Sequence, residues 1–191
     1  MTNSRIFLMG TVLTLMLTGG FSCRVQQPKA QLQESKTKLE SFQKQSGIVF
    51  VKGYSEIGAI YGTGSVSVGC MELTDATTKT RQMGLVVEVK ESGDLENSNK
   101  SYIDYDEIDA LLQGIQYITN INRDATKLDN LEVTYQTRGD FSVVTFNSGA
   151  EMYAGVQSGT IQAARAFLSI PQLDELRNLI LQAKQKLDAL R

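Results

Sequence analysis

The sequence predicts an α+β fold: two antiparallel four-strand meanders, each followed by one amphipathic helix, a pseudo-duplicated ββββα–ββββα plan. Three observations lead there. Apolar residues alternate at period two through two long stretches broken by glycine-containing turns, the pattern of half-buried strands joined in hairpins. Each stretch ends in a segment with three-four apolar spacing, the stripe of a helix lying on a sheet. The passage from strand to helix is also repeated, as Tyr102-Ile103-Asp104-Tyr105-Asp106-Glu107-Ile108 and again as Phe167-Leu168-Ser169-Ile170-Pro171-Gln172-Leu173. Both copies place a helix-capping residue after two apolar ones and an acid or amide three places on, the capping-box spacing. Ile108, Leu111, Ile115 and Ile118 then align without a gap with Leu173, Leu176, Ile180 and Ala183.

Taken in order, Ile48 to Tyr61 reads as one bent strand or two short ones broken near Gly53 and Gly58, and Gly62-Thr63-Gly64 is turn material. Ser65 to Leu73 alternates through Val66, Val68 and Cys70, then changes phase at Met71 and Leu73. One extra residue reverses the faces of a strand, so this phase change predicts a bulge. Met83, Leu85, Val87 and Val89 make the next strand, Ser92 to Asn99 a polar loop, and Tyr102-Ile103 a short strand into a helix over about 104–121. In the second half Leu131, Val133 and Tyr135 alternate, Arg138-Gly139-Asp140 turns, and strands follow at Phe141–Phe146, Met152–Val156 and Ile161–Leu168. The final helix, 171–190, carries Leu173, Leu176, Ile180, Ala183, Leu187 and Leu190 on one stripe, widened by Leu179. Pro171 falls in its first turn, where a missing N–H costs little.

The ends are organised differently. Arg5 followed by the apolar run Ile6–Leu17 and by Gly19, Gly20 and Ser22 reads as a signal peptide over 1–22. The run is shorter than the roughly 20 apolar residues of a membrane span. Cys23 stands where a lipid-modified cysteine would stand after cleavage, although Gly20 and Phe21 depart from the usual bacterial pattern; cleavage without acylation is the competing reading. Residues 23–46 form either a polar spacer or a short docking helix, since Leu32, Leu39 and Phe42 share a helical stripe. Residues 47–191 then make a single domain of two similar halves, 47–125 and 126–191.

Composition narrows the chemistry. The chain has 21 acids, 19 bases and no histidine, which removes His-based nucleophile triads and His-containing zinc sites. Cys70 is the only thiol beyond Cys23 and reads as a small buried apolar residue, so stability must come from the core. The glycines from Gly53 to Gly69 precede another strand rather than a helix, unlike a phosphate-binding loop. The acids Asp104, Asp106, Glu107 and Asp109 are the densest group of potential ligands. A calcium site is their functional reading, because hard cations want several carboxylate oxygens. Helix capping is the structural reading and the one the spacing favours, with Asp104 as cap and Glu107 closing the box. Arg138-Gly139-Asp140 matches a tripeptide read by adhesion receptors, and is equally ordinary turn chemistry.

A four-strand-plus-helix unit used twice resembles the arrangement of Whirly-type single-stranded DNA-binding proteins. The resemblance is architectural and carries no residue across. It implies, as the lesser of two alternatives, nucleic-acid binding through a basic, aromatic-lined groove, whereas this chain lacks a broad basic footprint. The main expectation is an exported, non-catalytic binding or envelope-associated domain without cofactor, its partner an envelope component and its tether Cys23. The other alternative is an enzyme or small-ligand carrier whose pocket gathers Asp106, Asp109 and a distant carboxylate.

Overall fold

The computed structural model describes residues 35–93 and 97–191. The segment 1–22 read as a signal peptide, Cys23 read as a candidate for acylation, and the rest of 23–34 lie outside the described residues. Two four-stranded antiparallel sheets form, each in simple meander order. The first comprises β1 (Phe50–Gly62), β2 (Gly64–Asp75), β3 (Arg81–Lys90) and β4 (Ser98–Asp104). The second comprises β5 (Glu132–Gln136), β6 (Phe141–Ser148), β7 (Glu151–Ser158) and β8 (Ala164–Leu168). A helix follows each sheet, α2 (Ile108–Asn120) and α3 (Ile170–Asp188), and a six-residue helix, α1 (Lys38–Gln43), precedes them.

One buried cluster joins both sheets to both long helices. It takes Val66, Val68, Leu85, Val87 and Ile103 from the first sheet and Phe141, Val143, Ala154 and Val156 from the second. All eight aligned helix positions, Ile108 to Ile118 and Leu173 to Ala183, are buried in it. Half-buried strands leave an apolar face, and each helix stripe covers part of it. Leu190 ends outside this stripe, because α3 stops at Asp188. The sheets are also bonded directly. Thr63, at the tip of the β1–β2 hairpin, exchanges two 3.0 Å backbone hydrogen bonds with Phe167 of β8. The buried hydroxyls of Ser101 and Ser158 meet at 2.8 Å.

The phase change at Met71 has a different cause from the one expected. The β2–β3 register runs without a break from Ser65↔Lys90 to Thr74↔Arg81, and the only shift against β1 lies between Glu56 and Gly58. Met71 and Leu73 are buried on the opposite face from Cys70, in a second cluster with Leu39 and Phe42. The strand does not bulge there; its outer face acquires a cover. That cover is α1, whose Leu39 and Phe42 are buried with Met71 and Leu73. Gly84 permits the close approach, since a Cβ there would stand 2.7 Å from Leu39 Cδ1 and 2.1 Å from the Ile103 carbonyl oxygen. The first residues of β4 were expected in a loop; Asn97 and Asn99 instead reach across to the carbonyls of Ala163 and Gln162 (3.0 and 3.3 Å).

Candidate functional site

The acidic cluster is gathered around α1 and Arg138. A helix leaves its first N–H groups without internal partners, and α1 satisfies them from two sources. Its N-cap Thr37 accepts from Glu40 N at 3.1 Å, and Glu40 returns to the amides of Thr37 (3.2 Å) and Lys36 (2.9 Å). The two remaining amides, Lys38 N and Leu39 N, donate to the Asp104 carboxylate at 2.9 and 3.1 Å. Asp104 is 2% exposed and makes no capping bond to the helix that follows it. The expected capping box at Asp104 and Glu107 is therefore absent. Tyr105–Glu107 winds as a single 3-10 turn, and Glu107 accepts from the backbone N of Arg138 at 2.7 Å and its Nε at 3.3 Å. Asp106 receives Lys38 Nζ and Arg138 Nη2, each at 2.8 Å. The Lys38 hydrogen bond, then that of Arg138, holds its carboxyl below the usual carboxylate range. Asp109 is elsewhere, 72% exposed on α2 and 3.5 Å from Lys184.

Three of the four acids thus spend their oxygens on amides, a lysine and an arginine. Among the described residues no group of three or more acids or cysteines is arranged to hold a metal ion. The adhesion tripeptide is engaged in the same network. Both oxygens of Asp140 accept from Lys36 Nζ at 2.7 Å, and Arg138 is bound by Asp106 and Glu107. Gly139 sits where a Cβ would lie 1.9 Å from the Tyr102 carbonyl oxygen. Its glycine answers to packing against β4. Asp109 lines a groove with Gln113, Gln116, Tyr117 and Arg177, and Asp106 is not part of that lining.

A second groove lies on the outer face of the first sheet, beside α1. Register places Ser67, Gly69 and Met71 of β2 on this face together with Tyr54 and Glu56 of β1, Val86 and Glu88 of β3, and Lys100 and Tyr102 of β4. These residues line a groove of about 620 Å3. Its floor is low because Ser67 and Gly69 are small. Glu88 stands between Lys100 (3.6 Å) and Lys90 (3.9 Å). Tyr54 rises from the rim, 78% exposed, with Lys52 Nζ 5.9 Å from its ring centre.

Exposed aromatics occur on both sheets. Phe146 stacks on Tyr153 at 5.8 Å, and Tyr153, Phe167 and Tyr61 are largely uncovered. Period two carried the signal. Tyr54 is two residues from Lys52 and Glu56, Tyr153 two from Glu151, and Phe167 two from Arg165, which puts each ring on the charged face of its strand. No protein-family model, curated protein or solved structure matches this chain.

Proposed function

We propose that the protein is a non-catalytic binding domain of the cell envelope that engages its partner through the outer face of the β1–β4 sheet. The groove floored by Ser67 and Gly69 carries the reading. It combines aromatic rims, which bury area at little conformational cost, with hydroxyls and ammonium groups that fix a polar partner. Export rests on the signal-like sequence of residues 1–22, and the lack of any histidine in the chain argues against the common hydrolytic machineries. A photo-reactive residue at Ser67 should give a discrete envelope adduct in living cells, reduced when Lys90 and Lys100 are both changed to alanine. Equal labelling from a photo-reactive residue at Asn178, on the exposed flank of α3, would overturn the assignment.

A second reading, single-stranded nucleic-acid binding, is favoured by the exposed ring of Tyr54 beside Lys52 and by that of Tyr61 further along the same strand. The carboxylates of Glu56 and Glu88 in the same groove oppose it. Nucleic-acid affinity that falls steeply with added salt would favour that reading over the first.

A further inference from the structure

The sheet edges of this molecule are treated unequally. β4 is covered by the second sheet, through Ser101 to Ser158 and Asn99 to Gln162. β8 bonds Thr63 through Phe167, and β5 is only five residues long. β1 is thirteen residues long and outermost in its sheet. Over Val51–Gly53 and at Tyr54 and Glu56 it is exposed, and a Cβ on Gly53 would meet nothing within 4 Å. A long edge strand presents a row of unpaired N–H and C=O groups, which template the addition of another strand.

We infer that β1 pairs antiparallel with β1 of a second copy of this chain, about a two-fold axis at Tyr54, joining two four-stranded sheets into one. The charges select this occupant. In that register Lys52 of each copy faces Glu56 of the other, with the two Tyr54 side chains between them on the same face. Neither Lys52 nor Glu56 has an ion-pair partner among the described residues. A strand guarded against pairing carries charges that repel a second copy; this one carries opposite charges placed symmetrically about one residue. The register is also sound for the backbone. Residues whose N–H and C=O point away from β2 alternate along the strand, and a two-fold axis at one residue brings outward groups against outward groups. The irregularity between Glu56 and Gly58 ends the regular segment just beyond the charged pair. The pairing stands independently of any ligand in the groove, although it would set two grooves side by side on one face.

Sedimentation of the full chain, with circular dichroism as a check on folding, tests the inference. Wild type should be a dimer at micromolar concentration. Glu56→Lys and Lys52→Glu should each weaken it about tenfold or more, because like charges then face each other twice per dimer. The double variant Lys52→Glu/Glu56→Lys should restore it. In a Cys23→Ser background, Tyr54→Cys should form an interchain disulfide on mild oxidation, since directly opposed strand residues lie within disulfide reach, and Tyr117→Cys should not. A monomeric wild type, whether its edge is open or is covered by residues 1–34, would overturn the inference. So would single variants that associate like wild type, or a double variant that stays dissociated.

Discussion

The two strand-to-helix junctions have the same spacing in sequence and opposite habits in the fold. At the β8–α3 junction the capping bonds stay local: Gln172 Oε1 accepts from Ser169 N at 2.8 Å and from the Ser169 hydroxyl at 3.1 Å, Pro171 sits in the first turn, and the one distant bond is from Gln172 Nε2 to the Tyr61 carbonyl at 2.8 Å. At the β4–α2 junction the equivalent residues turn outward. Asp104 caps α1, more than sixty residues away in sequence, and Glu107 takes up Arg138 of the β5–β6 turn. What differs is the company each junction keeps. A buried carboxylate with two acceptor oxygens, set beside unpaired helix amides and a guanidinium, makes charge-assisted bonds stronger than a neutral local cap. The first junction has become a clasp for the N-terminal arm, and the second has remained a helix start.

The largest effect should come from removing what presses the arm against the clasp. Leu39 is fully buried among Phe42, Met71 and Leu73, and a six-residue helix does not hold together alone. Leu39→Ala should cost about 2–5 kcal/mol in chemical denaturation. Amide exchange should accelerate over residues 38–43 while α3 keeps its protection. Equal loss of protection in α1 and α3 would show that the two junctions are not independent.

Next comes a direct comparison of the paired residues. Asp104→Ala strands the buried amide of Leu39 and the part-buried amide of Lys38 and should cost about 1–3 kcal/mol. Ser169→Ala should cost about 1 kcal/mol, the usual value for a cap residue. The locations should differ more than the sizes. Limited proteolysis within residues 35–46 should rise for Asp104→Ala and stay unchanged for Ser169→Ala.

The contrast also marks what could be read from residues alone. The strands after Ile48, the helix stripes and the α+β plan were legible, because burial on one face imposes a period that survives in sequence. Met71 and Leu73 misled because two covers, one on each face, mimic the phase change of a bulge. Asn97 and Asn99 looked like loop because their side-chain amides are spent on Ala163, Gln162 and Ser158 of the second half. The acidic cluster was read as a local helix cap, and its partners were misassigned. Capping rules describe neighbours along the chain, and Lys38, Leu39 and Arg138 are neighbours only in the folded molecule. The groove was illegible as a site because nothing in a serine or glycine announces that a sheet face above it is left uncovered.

The smallest effect is one of pH, and it bears on the clasp alone. Asp106 is held below the ordinary carboxylate value of about 3.9, first by the hydrogen bond from Lys38 and then by that from Arg138. A carboxyl whose folded pKa is depressed binds fewer protons in the folded state. Its contribution is complete above the ordinary value and disappears as pH falls through the depressed one. Ser169 and Gln172 do not titrate in this range, so the second junction should be indifferent. Asp75 and Asp188 are depressed as well, by the amides of Thr78 and Thr77 and by the Tyr105 hydroxyl respectively, so global unfolding would blend all three. The readout must therefore be local. Between about pH 5 and pH 3, exchange of the Lys38 and Leu39 amides, corrected for intrinsic rates, should rise relative to those of α3. Asp106→Asn should flatten part of that rise, and only part, because Asp106 and Lys38 are half exposed and an exposed ion pair contributes little. An unchanged slope in Asp106→Asn would mean that the arm is held by Asp104 and Leu39 without help from the charges around it.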